Sequence, residues 1–316
     1  MRRFDVLCVG LQCIDLLISS VDRDILNRES TPVDFVRMLT GGDALNQAVT
    51  AAALGARTAL IGPVGGDSMG KTLLARIADA GIEAIPVRCD GSTSVSVVLI
   101  DENRDRHFMI PHNQFSRLNL AGMDLNAVRE SRVVSVGSCM ALPGLDGADM
   151  CRLLDMAKES GAVTAMDFKN NRGVKDMDGI WESVRHADWI LPSEKEAGDL
   201  LGHRLEKPED MAAALKERGA KNVVVKLGGS GCYLSGGGAE ARIHAHKSEV
   251  VDTVGAGDTF AGAFLYALSK NWDAETCARF ANAAGSIAVE QAGANGAVKS
   301  EAQVLERMRG RYLIDI

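Results

Sequence analysis

The chemistry this sequence can carry is concentrated in the stretch Asp252-Thr-Val-Gly-Ala-Gly-Asp258. An extended segment, 242–251, leads into it, and a small, apolar run at helical spacing, 259–268, follows. Gly255 and Gly257 let the backbone turn where side chains would obstruct a ligand. The first N–H groups of a helix have no partner inside it and lie at the positive end of its dipole, which suits an anion such as a phosphoryl group. Gly255, Ala256 and Gly257 would form that anion hole. Asp258 stands among the donors, where the expectation is a carboxylate that stays ionised and accepts a proton from an alcohol lying against the phosphate. In isolation, the same residues would serve as well to cap a buried helix.

A second stretch, Gly41-Gly-Asp-Ala-Leu-Asn-Gln-Ala48, changes the balance. It matches the G-G-x-x-x-N-x-A pattern of the ribokinase-like (PfkB) sugar kinases, and residues 252–258 match their D-T-x-G-A-G-D pattern. The two stand in that family's order and at its usual separation, and the chain resembles the family from Gly10 to about Gly296. The resemblance implies transfer of a phosphoryl group from ATP, accompanied by Mg2+, to a hydroxyl of a small sugar or sugar derivative. Asp258 would be the general base, with position and charge supplying most of the catalysis.

The same resemblance implies roles for residues elsewhere. Asp15, after the first strand, would hold sugar hydroxyls together with Gly42, Asp43 and Asn46, the glycine pair letting the ligand approach the backbone. The nucleotide would lie across Lys226, Gly228 and Gly231 and the segment carrying Asn282. Glu196 falls in the family's N-x-x-E position, tied to magnesium through water, although Ser193 replaces the Asn. Some relatives bind K+ in the region that Asp252 and the loop 291–297 occupy; here Ala297 stands where those forms carry Ser.

The acceptor is less defined. Gly10-Leu-Gln-Cys-Ile-Asp15 has Cys13 where true ribokinases carry Asn, and 136–141 lacks their Glu, which argues against ribose. Arg104, Arg106, His107, His112, Lys169 and Arg172 would suit an anionic acceptor, unless they are simply solvated. A nucleoside kinase on the same scaffold is the nearest rival, but only Phe108 and Phe115 are at hand to stack a base. A non-catalytic binding protein is a further alternative, against which the retained Asp258 counts.

Gly65-Gly-Asp-Ser-Met-Gly-Lys-Thr72 also satisfies G-x-x-x-x-G-K-[ST], the pattern of a P-loop NTPase with Lys71 on the phosphates. The ribokinase-like pattern places a G-x-D-x-x-G turn here, which would pack strand against helix and leave Lys71 in solvent. That reading is adopted.

These residues need a scaffold, and the rest of the chain supplies one. With 316 residues the chain can bury a large core. Apolar runs at Phe4–Val9, 58–61, 133–136, 163–166, 189–191 and 223–227 alternate with helical patterns at 43–54, 68–80, 146–159, 193–201 and 209–218. This predicts an α/β fold, a three-layer α/β/α sandwich around a mostly parallel sheet. Segments 94–100 and 106–110 alternate around a polar turn and predict a hairpin, and Gly236-Gly-Gly238 a tighter one. With part of 14–38, the first hairpin would form a small β-sheet. The resemblance makes that sheet a lid over the sugar and a contact for a homodimer. The expected division is a core of 1–13, 39–92 and 116–316 and a lid of 14–38 and 93–115.

A net charge of −7 opposes a nucleic-acid partner, which needs a basic footprint. The seven scattered cysteines show no metal-ligand spacing with the six histidines and suit buried thiols in a reducing cytoplasm. Asp5 and Asp15 interrupt the apolar N-terminus, so a first strand is expected there and not a signal peptide; no run has the length of a membrane span.

Overall fold

The computed structural model describes residues 2–103, 105–111, 118–170, 174 and 176–312. In chain order the first half runs β1 (Phe4–Val9), β2 (Cys13–Val21), β3 (Val36–Gly41), α1 (Asp43–Ala53), β4 (Thr58–Val64), α2 (Ser68–Asp79), β5 (Ile82–Arg88), β6 (Val95–Asp101), β7 (Arg106–Met109), α3 (Leu125–Arg129) and β8 (Ser131–Cys139). The second half runs α4 (Ala148–Glu159), β9 (Val163–Phe168), α5 (Met177–His186), β10 (Trp189–Ile190), α6 (Glu194–Leu201), α7 (Pro208–Glu217), β11 (Asn222–Lys226), β12 (Cys232–Gly236), β13 (Ala239–Ile243), α8 (Ala256–Ser269), α9 (Ala274–Ala288) and α10 (Glu301–Tyr312).

Nine strands form the main sheet in the order β13-β12-β11-β10-β9-β8-β1-β4-β5. The pairs from β11 through β10, β9, β8, β1 and β4 to β5 are parallel, and β12 and β13 add an antiparallel edge. The central strands read as continuous apolar runs because both faces are covered. Along β1, Leu7 and Val9 enter one core while Val6 and Cys8 enter the other, as the two-residue strand period requires. Helices α3–α7 supply the first core, and α1, α2, α8 and α9 the second. This is the three-layer arrangement that the alternating sequence pattern predicts.

A second, four-stranded sheet has the order β3-β2-β6-β7. The predicted hairpin is its β6–β7 pair, with Val98 opposite Phe108. Most element ends lie one to three residues from expectation, and β5, α3, α5 and α10 fall where no element was predicted; two ends have a clear cause. Strand β10 stops at Ile190, one residue early, next to Pro192, which has no N–H to continue a ladder. Helix α4 starts at Ala148 and not at 146, because Gly147 before it is left-handed (φ 92°) and Asp146 closes a turn onto the Leu142 N–H.

The P-loop pattern folds as a packing turn. Asp67 caps α2, accepting from the Gly70 N–H at 2.8 Å, and also accepts from the Thr93 N–H at 3.0 Å and Oγ1 at 2.6 Å. Its carboxylate fills the helix N-terminus where a P-loop would seat phosphate, and Lys71 is exposed. The seven cysteines are free thiols. No helix among the described residues is long and apolar enough to cross a membrane.

Candidate active site

A cavity of about 910 Å3 opens where β9, β11 and the N-terminus of α8 converge, at the carboxyl ends of parallel strands. One wall is the glycine turn. Gly255 is the N-cap of α8 in the left-handed region (φ 76°), and a Cβ there would lie 1.8 Å from the Ala294 carbonyl oxygen. No other residue type fits that backbone. Gly255, Ala256, Gly257 and Asp258 all line the cavity.

The two sequence motifs meet at this turn. Asn46, buried on α1, donates through Nδ2 to Asp258 Oδ2 at 2.8 Å, across 212 residues of sequence. Helix α1 reaches α8 because Gly262 has no side chain: a Cβ there would strike the Gln47 carbonyl oxygen at 2.5 Å. Asn46 is itself held, since Asn295 Nδ2 donates to its Oδ1 at 2.7 Å and to the Thr40 carbonyl at 3.2 Å.

Asp258 was expected to stay ionised among helix donors, and its surroundings work against ionisation. Burial, and then the charges of Asp43 and Asp167, push its carboxyl well above the usual carboxylate range, against the Asn46 hydrogen bond and the charge of Lys169. Three carboxylates, Asp43, Asp167 and Asp258, thus act on one another here. Asp43 fares differently. Burial pushes it up, but the Lys169 ammonium, at 2.7 and 3.0 Å, together with Ser138 and Lys226, holds it below its ordinary value.

Lys226, at the end of β11, turns inward to Asp167 Oδ1 at 2.5 Å. A methyl on Gly257 would come within 3.7 Å of its Nζ, so the ammonium stands beside the glycine turn. Burial opposes its charge, but Asp167, Glu196 and Asp258 prevail and hold it well above the usual lysine range. Asp167 is fixed from its other side by Gln47 Nε2 at 2.9 Å. Glu196 lines the cavity and closes a capping box on α6, its Oε2 accepting from the Ser193 N–H at 2.7 Å while the Ser193 hydroxyl accepts in return.

Of the other expected residues, Gly228, Gly231 and Asn282 line the cavity, and Asp15 and Gly42 do not. Gly228 has open space where a side chain would stand, and a Cβ on Gly231 would meet the Ile243 carbonyl oxygen at 1.9 Å, so that glycine also admits a strand. Gly41 and Gly42 likewise admit neighbours within the chain: Cβ atoms there would lie 2.0 Å from Asp15 Oδ2 and 2.4 Å from the Leu11 carbonyl oxygen. Asp15 lies beside the cavity wall, in the field of Lys169 and Asp43, and burial raises its carboxyl first of all. Asn282 donates to the His244 carbonyl at 2.8 Å and faces the cavity.

Of the cations offered for an anionic acceptor, Lys169 is paired with Asp43, Arg106 with Asp252, and His107 Nε2 lies 3.3 Å from Asp101. Arg104, His112, Phe115 and Arg172 lie outside the described residues.

Sequence reasoning missed several lining residues. Gly285, Ser286 and Val289 share the cavity face of α9 with Asn282, at the i, i+3, i+4, i+7 spacing that could have found them. Asp167 ends an apolar strand, which is a signal too. Nothing local marks Asn295.

With this geometry in view, likeness to known proteins is specific. The description "pfkB family carbohydrate kinase" matches over residues 3–301. A sugar kinase of Archaeoglobus fulgidus is 29% identical over 246 residues, 76% of this chain and 94% of that protein. A ribokinase of Haemophilus influenzae is 28% identical over 273 residues, 84% and 86% of the two chains. A solved structure, Arabidopsis thaliana ribokinase complexed with ribose and ATP, superposes with a TM-score of 0.81 at 25% identity, covering 96% of this chain and 98% of that one. Two motifs converging on one cavity, in a match that runs nearly end to end, place the chain in the pfkB family of carbohydrate kinases.

Proposed function

We propose that this carbohydrate kinase transfers the γ-phosphoryl group of ATP to a hydroxyl of a small sugar or sugar derivative, with Asp258 as the base. The observation that carries the reading is the Asn46–Asp258 hydrogen bond at the mouth of the glycine turn. It sets an acceptor-side amide and a carboxylate beside a glycine turn that lines the cavity, and the main-chain donors of that turn are proposed as the anion hole, although the Ala256 N–H also donates to the Thr253 carbonyl at 3.3 Å. The acceptor hydroxyl gives its proton to Asp258 while the amides of residues 255–258 receive charge from the transferring group. A carboxyl raised above its usual range is the stronger base for that proton. Lys226, held charged, adds a fixed positive centre next to the turn.

No group of three or more His, Cys, Asp or Glu side chains is arranged to hold a metal among the described residues. Mg2+ would arrive with the nucleotide and retain its waters, with Glu196 on the cavity wall as an outer partner. When bound, the ion neutralises phosphate charge. The nucleotide would lie along Gly228 and the Asn282–Val289 face of α9. The four-stranded sheet would act as the lid, since Phe108 and Ile110 already line the cavity. Val36 and Met109, exposed on that sheet, suit a homodimer contact, which sedimentation would test.

The test is ADP release from Mg-ATP with a panel of sugars, sugar acids, sugar phosphates and nucleosides. One class of carbohydrate should drive turnover. Asp258→Asn should keep the fold and lower kcat by about 100-fold or more. A near-normal rate in that variant would discredit the assignment.

A further inference from the structure

Asp252 opens the anion loop, and the resemblance made it the candidate for K+. Its carboxylate is taken instead. Arg106 of β7 donates to Oδ2 through Nη2, the Gly293 N–H donates to the same oxygen at 2.8 Å, and the Val254 N–H donates to Oδ1 at 3.1 Å. The pair is nearly enclosed, with the two side chains 18% and 9% exposed. A carboxylate facing three N–H groups has its lone pairs directed at donors, so these residues do not fit a monovalent ion at Asp252.

The guanidinium comes from the sheet proposed as the lid. In an extended chain, alternate residues share a face, so Arg106 stands on the same side of this segment as Phe108 and Ile110, which line the cavity. From these contacts we infer that Arg106 is a built-in substitute for the monovalent cation. It neutralises Asp252, pins residues 252–254 against Gly293, and makes that order depend on the hairpin being seated. Unlike K+, a tethered guanidinium cannot exchange with solvent. The anion loop is therefore set by lid position and not by ion concentration.

This inference rests on the phosphotransfer reading, but its first test does not need turnover. Thermal melting of the wild-type protein should be the same in KCl, CsCl and tetramethylammonium chloride at matched ionic strength. Its kcat/KM, once an acceptor is known, should agree across these salts within about twofold. Stabilisation or activation specific to K+ or Cs+ would overturn the proposal. Arg106→Gln should lower kcat/KM by about tenfold or more in tetramethylammonium chloride, with K+ or guanidinium ion restoring much of the loss. Arg106→Lys, which keeps a charge, should fall between the two. An Arg106→Gln enzyme that is fully active without added cation, or slow and unmoved by any cation, would also overturn it. A wild type that melts independently of K+ yet phosphorylates nothing would locate the failure in the functional reading and not here.

Discussion

Asn46 has two ends, and each has a fixed partner. Asn295 donates to its oxygen, so its nitrogen faces Asp258. This sets up a test between positioning and mere packing. Asn295→Ala removes a constraint and should lower kcat about tenfold, whereas Asn295→Asp presents an acceptor to an acceptor and should cost about 100-fold or more. Both should shift the acid limb of kcat/KM to higher pH, because the Asn46 hydrogen bond works to lower the Asp258 pKa. Equal losses with an unmoved limb would reduce Asn295 to packing. In the wild type that limb should lie above the ordinary carboxylate range, with the rate falling as pH drops through it, since the base must be ionised and burial with Asp43 and Asp167 disfavours ionisation. Asp146 gives a separate test of stability. Burial pushes its carboxyl up to about 6, and Oδ1 is enclosed without a partner. The native state therefore binds the proton more tightly than the unfolded chain, and Asp146 costs stability as pH rises from about 4 to 6, with the full cost present above that. Asp146→Asn should stabilise the protein by roughly 1–2 kcal/mol near pH 7 and change little near pH 4, as urea melts at the two pH values would report. Sequence made Asn46 and Asp258 legible because each sits in a long motif. It left Asn295 hidden, because an asparagine in a glycine-rich loop has no local pattern to distinguish it.

At the scale of elements, the instructive case is a motif that matched for the wrong reason. Residues 65–72 satisfy a phosphate-binding pattern, but Asp67 supplies the negative charge at the α2 terminus from within the chain. Lys71→Ala should leave phosphoryl transfer within about twofold of normal, because Lys71 is exposed and is not among the residues lining the cavity. Asp67→Ala should instead cost about 1–2 kcal/mol, by loss of a cap that also ties down Thr93, with little effect on KM; chemical denaturation measures the first and initial rates the second. Most helix and strand positions, though not those of β5, α3, α5 and α10, were readable because periodicity reports which faces are covered. Their ends were less so. The start of α4 depends on a left-handed Gly147, and the short β10 on Pro192, both backbone facts outside the hydrophobic pattern. The glycine pair at 41–42 shows the same limit. Its composition suggested a close approach of a ligand, and what it also provides is space for Asp15 and Leu11 where side chains would stand.

On the scale of the whole molecule, the two sheets should differ in how firmly they are held. Strands β1 and β8 are buried on both faces, whereas β3 and β7 expose Val36, Phe108 and Met109. Amide exchange in the four-stranded sheet should outpace that in β1 and β8 by about tenfold or more, and ATP with an acceptor should slow it in β6 and β7. Equal protection in both sheets would count against a mobile lid. The layered architecture was legible in the alternation of apolar runs, because nothing else buries strands on both faces. The charge partners across the cavity were not, since Asp43 with Lys169, and Asp167 with Lys226, meet only once the sheet has brought distant loops together. The span between Asn46 and Asp258 has a consequence for synthesis. A chain emerging from the ribosome displays its first motif early, but the carboxylate that completes the pair arrives 212 residues later. Throughout that interval the nascent protein lacks the proposed centre with which to spend nucleotide. With Asp258 as the proposed base, a message broken before the last quarter of the gene should yield inert fragments, which an ATP-consumption assay of chains ending before residue 258 would check.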